Sequence, residues 1–183
     1  MIRNHPMCNT RVIQRAVPVV KGITGAIFFA CLTGLAAQIR IPLPFTPVPL
    51  TLQVFAVLFS GALLGSRYGS LSQLVYLAAG VAGLPFFSGI SSGTAVLLGS
   101  TGGYIIGFIP AAYIVGALVK RSKSRIGIIS FMMLAVAVIY LFGAIWFAAV
   151  TGSNFNTTLK LAVIPFAGFD LAKAFAASFL IRK

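Results

Sequence analysis

Six apolar tracts, at roughly 17–38, 49–65, 70–84, 102–119, 126–150 and 165–182, occupy most of the chain and set what it can become. A helix that crosses the hydrocarbon core of a bilayer needs about 20 apolar residues, within a range of about 17–25. The tracts meet or approach that length. Only 8% of the 183 residues are charged and 59% are hydrophobic, against about a quarter and about half in soluble domains. The expected fold is therefore an all-α integral membrane protein with six transmembrane helices. The first tract follows Arg3, Arg11 and Arg15 as a secretory leader would. It is longer than a leader's apolar stretch and more spans follow it, so it reads as a retained first helix.

Charge orients the bundle. The net charge is +13, and the basic residues fall in breaks between apolar tracts rather than along one face. The N-terminal tail, Arg67, the segment KRSKSR at 120–125, and Arg182 with Lys183 carry most of them, whereas the alternate connections hold only Arg40 and Lys160. Cytoplasmic loops collect Lys and Arg, so both the N and C termini are expected in the cytoplasm. The chain is then expected to form a single membrane domain over 1–183, with a basic cytoplasmic tail at 1–16 and a six-helix bundle at 17–183. It belongs in a cell membrane of the bacterial inner or plasma type, with lipid as a partner. A nucleic-acid partner is not expected, because that needs a basic stripe on a soluble fold.

The three outer connections are unusual. IRIPLPFTPVP at 39–49 places four prolines within eight residues (Pro42, Pro44, Pro47, Pro49) and must be extended. The segment 85–104 mixes five glycines with Ser, Thr and apolar residues, and 151–169 runs up to Pro165 before the last helix. Irregular backbone at membrane depth persists only where protein buries it or it lines a wet cavity. Partly buried outer-side loops around an outward-opening cavity follow.

Asp170 is the only carboxylate in the chain, and Lys173 stands three residues on, on the same face of a helix. Charge at membrane depth is costly and marks binding or transport sites; a structural ion pair between helices is the competing reading. Arg40 brings a second positive charge to the outer side, giving a net +1 that suits a monoanion, unless it anchors a lipid headgroup. Thr51 and Gln53 open the second tract, where they either meet a ligand or hydrogen-bond another helix. Gly102 and Gly103 let the backbone come close to a ligand or a helix. In the first tract Gly22, Ala26, Ala30 and Gly34 recur every four residues, a stripe for packing within the chain or against a partner helix. One His (His5), one Asp and two separated cysteines (Cys8 and Cys31, the latter read as a small core residue) assemble no metal site, disulfide or catalytic triad. No GxxxxGK[ST] motif occurs, so no cofactor or ATP site is expected in this chain, and it is not expected to be an enzyme.

Taken together, IRIPLPFTPVPLTLQ at 39–53, GLPFFSG and LLGSTGGYIIGF between 83 and 108, and PFAGFDLAKA at 165–174 resemble the BioY family, the substrate-binding S components of energy-coupling factor (ECF) biotin transporters. The resemblance implies six helices and an outer-facing biotin site closed by loops. It also implies partnership with a membrane T component driven by two cytoplasmic ABC ATPases. It places Asp170 and Lys173 against the ureido ring and Arg40, or else Lys173, against the valerate carboxylate. Gln53, Tyr104, Thr51, Ser92 and Gly102 are further substrate-binding candidates. A docking motif on the first helix matches Ala26 and Ala30, and with them the stripe of Gly22 and Gly34, as the partner-docking face. Two positions depart from the family pattern. Gly168 and Phe169 stand where Pro-Gly usually precedes the acid, and Ser100 stands where Pro precedes TGGY. Two other readings predict different behaviour: a solitary secondary transporter coupled through Asp170, and a non-transporting membrane scaffold subunit.

Overall fold

The computed structural model describes residues 7–122 and 124–181. Its elements are helix α1 (Met7–Gln38), strands β1 (Arg40–Leu43) and β2 (Thr46–Thr51), and helices α2 (Gln53–Val81), α3 (Thr94–Leu98), α4 (Gly102–Leu118), α5 (Arg125–Thr151), α6 (Phe155–Ala162) and α7 (Ile164–Leu180). Helix α1 starts at Met7, so part of the stretch read as a tail is helical, and its apolar, membrane-length portion is Pro18–Gln38. Among the described residues, four helices are long and apolar enough to cross a membrane, with α2 counted over its full length, or five if the bent α6–α7 pair is one span.

Helix α2 takes in both the second and the third apolar tract, and the loop expected around Arg67 shrinks to one residue. That residue is Gly65, at φ 80° and ψ 178°, a conformation essentially closed to residues with a Cβ. The chain reverses there. Gln53 Nε2 donates to Tyr76 Oη at 2.6 Å, although 23 residues of straight helix would hold the two about 35 Å apart. Arms 53–64 and 66–81 therefore lie side by side. Gly61 and Gly69 make this possible, since a Cβ on Gly69 would stand 2.8 Å from Gly61 Cα. Helix α2 packs on both α1 and α4, and α4 in turn packs on α5. Ala112, Val115, Met132, Val136 and Ile139 fill the core between them. Ile27, Phe28, Leu35, Ile145 and Phe175 are more than half exposed, as side chains that meet lipid should be.

The proline-rich segment is extended, as its rings dictate, and it also pairs. β1 and β2 form an antiparallel hairpin with Arg40 opposite Thr51 and Ile41 opposite Leu50. This two-stranded ribbon tolerates the prolines because it has free edges, and it is a departure from an all-α fold. β2 turns Thr46, Val48 and Leu50 inward. The segment after α2 is held by Phe87, fully buried edge-on to Tyr76. Gln38 at the end of α1 holds it as well, donating to the Phe87 carbonyl (3.1 Å) and accepting from Ile90 N–H (2.9 Å). The third outer segment is more regular than expected. Asn154 caps α6 by accepting from Thr157 N–H at 2.9 Å. The path then bends by 40° at Val163, and Pro165 lies in the first turn of α7, where a missing N–H costs nothing.

The stripe of small residues on α1, expected as a partner-docking face, is packed against the chain's own side chains. Ala26 and Ala30 are 0% and 1% exposed, the ring of Tyr68 lies over Gly22, and Phe86 covers Gly34, where a Cβ would stand 3.0 Å from its ring. Cys31, expected in the core, is exposed; Cys8 and His5, like the tail basic residues, have no described side chains.

Candidate ligand chamber

The β-hairpin, the segment after α2 and the adjoining parts of α4, α5 and α7 line a half-open cavity of about 360 Å³, within the size range of small-ligand sites. Its floor is the Asp170–Lys173 pair. Counting from Ile164, Asp170 lies about 9 Å along α7; it is 2% exposed. Lys173 Nζ donates to Asp170 Oδ1 at 2.6 Å and to the Thr51 carbonyl at 2.7 Å, which ties α7 to the end of β2. On the other carboxylate oxygen, Tyr140 Oη donates to Oδ2 at 2.6 Å.

A carboxylate has about four acceptor positions and an ammonium three N–H donors. The two bonds to Asp170 leave acceptor positions free, and the two from Lys173 leave one donor. The floor is thus a compensated ion pair that still offers both acceptor and donor capacity to a ligand. That arrangement suits a group carrying N–H donors beside a carbonyl. Leu43, Ile105, Phe108, Ile139 and Phe166 supply apolar wall above it.

At the mouth lies Arg40, which is exposed and whose guanidinium rests against Gly89. Among the described residues it makes no salt bridge, since the one ion pair is Lys173 with Asp170. Beside it, Ser88 lines the cavity with a buried hydroxyl that has no partner. A cation without an ion-pair partner and a hydroxyl without an acceptor thus line the same cavity as the pair.

Asp170, Lys173, Arg40, Gln53, Tyr104 and Thr51 all line this one cavity. Two of them are partly engaged elsewhere. The Tyr104 hydroxyl donates to the Ala162 carbonyl and stitches α4 to the α6–α7 bend. Gln53 bonds Tyr76 and accepts from Thr51 Oγ1 at 2.9 Å. Ser92 and Gly102 are not cavity residues. Ser88 and Ser91 face the chamber instead, because the chain folds back where Phe87 bridges Ser91. Gly102 is needed for the α3–α4 turn, where a Cβ would overlap the Leu97 carbonyl, and Gly103 for the approach of Phe142 on α5. Tyr140 and Ser88 escaped the sequence reading; a tyrosine in the most apolar tract was the available signal. Phe169 points away, 54% exposed, so the departure beside the acid places no bulk in the chamber, whereas Ser100 lines it.

Apolar helices of membrane length around a half-open chamber with a charged floor define a multi-pass membrane protein built to hold a small ligand. A model of the BioY family matches residues 8–183. The chain is 40% identical over 163 residues to a probable biotin transporter BioY of Pyrococcus horikoshii, covering 89% of this chain and 95% of that one. It is 35% identical over 152 residues to the biotin transporter BioY of Thermotoga maritima, covering 83% and 88%. Among solved structures, the crystal structure of the S-component for biotin from an ECF-type ABC transporter superposes with a TM-score of 0.82 at 29% identity over 88% of each chain. The chain belongs to the BioY family.

Proposed function

We propose that this protein is the substrate-capture S subunit of a biotin uptake system. It takes biotin from the outer side and passes it inward with a membrane T component and two cytoplasmic ABC ATPases, without chemistry on the ligand. The observation that carries this is the chamber: one cavity lined both by the compensated Asp170–Lys173–Tyr140 floor and by Arg40, which has no ion-pair partner among the described residues. The ureido N–H groups donate to Asp170, and the remaining Lys173 N–H donates to the ureido oxygen. The valerate carboxylate accepts from Arg40 and Ser88. Lys173 is the weaker carboxylate partner because two of its donors are already engaged. Phe108, Ile105 and Phe166 cover the apolar middle, with Thr51, Gln53 and Tyr104 framing the floor.

Counting the arms of α2 separately and α6–α7 once gives six membrane segments, α1, two arms, α4, α5 and α6–α7, of which the arm 53–64, about 18 Å long, enters the membrane without reaching across its core of about 30 Å. Arg67 and the 120–125 cluster then lie at the end away from the chamber, so the bias of Lys and Arg toward the cytoplasm turns the chamber outward and both termini inward. Uptake of radiolabelled biotin by cells supplying the T component and ATPases tests the assignment. Uptake should appear with this chain and vanish without the partners; uptake that persists without them and follows the pH gradient would favour a solitary transporter.

A further inference from the structure

A second cavity, of about 540 Å³, lies on the outside of the bundle between α5 and the α6–α7 bend. Ala137, Ala144 and Ala148 form its shallow floor on α5, and Leu159 and Val163 close the other side. From Ala137 to Ala148 the groove runs about 16 Å along the helix, the thickness of one leaflet of a hydrocarbon core of about 30 Å. Leu141, Ile145 and Phe155 stand at its edges, 58%, 64% and 75% exposed. Those bulky rims prevent the close backbone contact that a helix seeks on small residues, yet leave a slot that a thin flexible chain can fill.

Two wall residues carry polar atoms. Thr158 is 4% exposed with its hydroxyl buried and unpartnered, so the surface the groove presents is almost wholly apolar, as an acyl chain requires and a ligand with polar groups does not. Tyr140 is the other, and it lines both cavities while its hydroxyl holds Asp170. It is the partition between groove and chamber.

We propose that an acyl chain of an outer-leaflet phospholipid occupies this groove and supports Tyr140 against Asp170, so that lipid strengthens ligand capture. The groove's third wall is the α6–α7 bend at Val163, and α7 carries Asp170 and Lys173; an occupant therefore acts on the floor from two sides. The coupling to capture rests on the proposed role of the chamber; occupancy of the groove does not.

The test uses the purified chain in phosphatidylcholine vesicles containing a photoreactive diazirine acyl chain. Label should map to segments 137–148 and 155–163. It should fall at least about fivefold in Ala144→Phe, or in Ala148→Leu should the first fold poorly, but not in Leu74→Phe on the exposed side of α2. In lipid-free detergent the wild type should bind radiolabelled biotin about fivefold more weakly than in vesicles, the scale of one hydrogen bond, while Ala144→Phe should bind equally in both. Undiminished labelling in the groove-filled variants overturns the proposal. So does labelling that stays constant while those variants lose co-purifying membrane subunits, which would assign the groove to a protein partner. Labelling that falls while the lipid dependence of affinity stays unchanged overturns the coupling. Absence of biotin binding in every condition would refute the role of the chamber, and the photolabel would still decide occupancy.

Discussion

Replacing Asp170 by Asn changes one oxygen into a donor and removes the only negative charge in the membrane domain. In the native floor both Lys173 and Tyr140 donate to Asp170 at 2.6 Å. Asn retains a single acceptor oxygen, so Lys173, Tyr140 and the ligand's N–H groups compete for it. At least one ligand bond to a charged acceptor is lost. At about 1.5–3 kcal/mol for such a bond, affinity should fall roughly 10- to 150-fold. A second effect concerns folding. Breaking a buried ion pair costs about 3–5 kcal/mol when the partner is left uncompensated, but the Lys173 side chain is 12% exposed and keeps the Thr51 carbonyl, so the loss should fall below that range. Equilibrium binding of radiolabelled biotin and thermal unfolding of the purified protein separate the two. Asp170→Asn should lower both affinity and thermal midpoint, and Asp170→Asn with Lys173→Met should recover most of the stability but none of the binding. A folded Asp170→Asn protein with wild-type affinity would refute the role given to the pair.

Arg40→Ala should weaken biotin binding roughly fivefold to tenfold at low salt and less at high salt. The same change should leave the methyl ester of biotin nearly unaffected, because the ester offers no carboxylate; competition binding with both ligands checks this. Gln38→Leu cuts the clamp on the segment 85–90, so the ligand off-rate should rise about fivefold while the on-rate changes little, readable by stopped-flow or chase experiments. Gly65→Ala forces a Cβ into a region nearly exclusive to glycine, 3.1 Å from Lys120 Nζ. It should lower stability by about 1–3 kcal/mol, seen as a drop in the thermal midpoint, with ligand affinity preserved in the fraction that folds.

The membrane bundle was legible because a bilayer demands long apolar tracts, and the prolines of 42–49 could only be extended. That they would pair as a hairpin depended on the register between Arg40 and Thr51, which local chemistry does not encode. The reversal within α2 was visible as a short third tract but not as a single residue, since several nearby glycines could have taken a positive φ. At the site, Asp170 and Lys173 stood out because scarcity and helical spacing singled them out. Tyr140 did not, because its role depends on α5 lying against α7 some thirty residues away. The small-residue stripe on α1 shows the same limit from the other side. Four-residue spacing fixes a face, but whether Tyr68 and Phe86 or a foreign helix covers it is decided by tertiary packing.

The most direct test of the central claim is equilibrium binding of radiolabelled biotin to the purified chain alone, in phospholipid vesicles without T component or ATPases. The chamber should take up one biotin per chain, saturably and displaceably by unlabelled biotin. A folded, monodisperse protein that shows no saturable biotin binding would contradict the account.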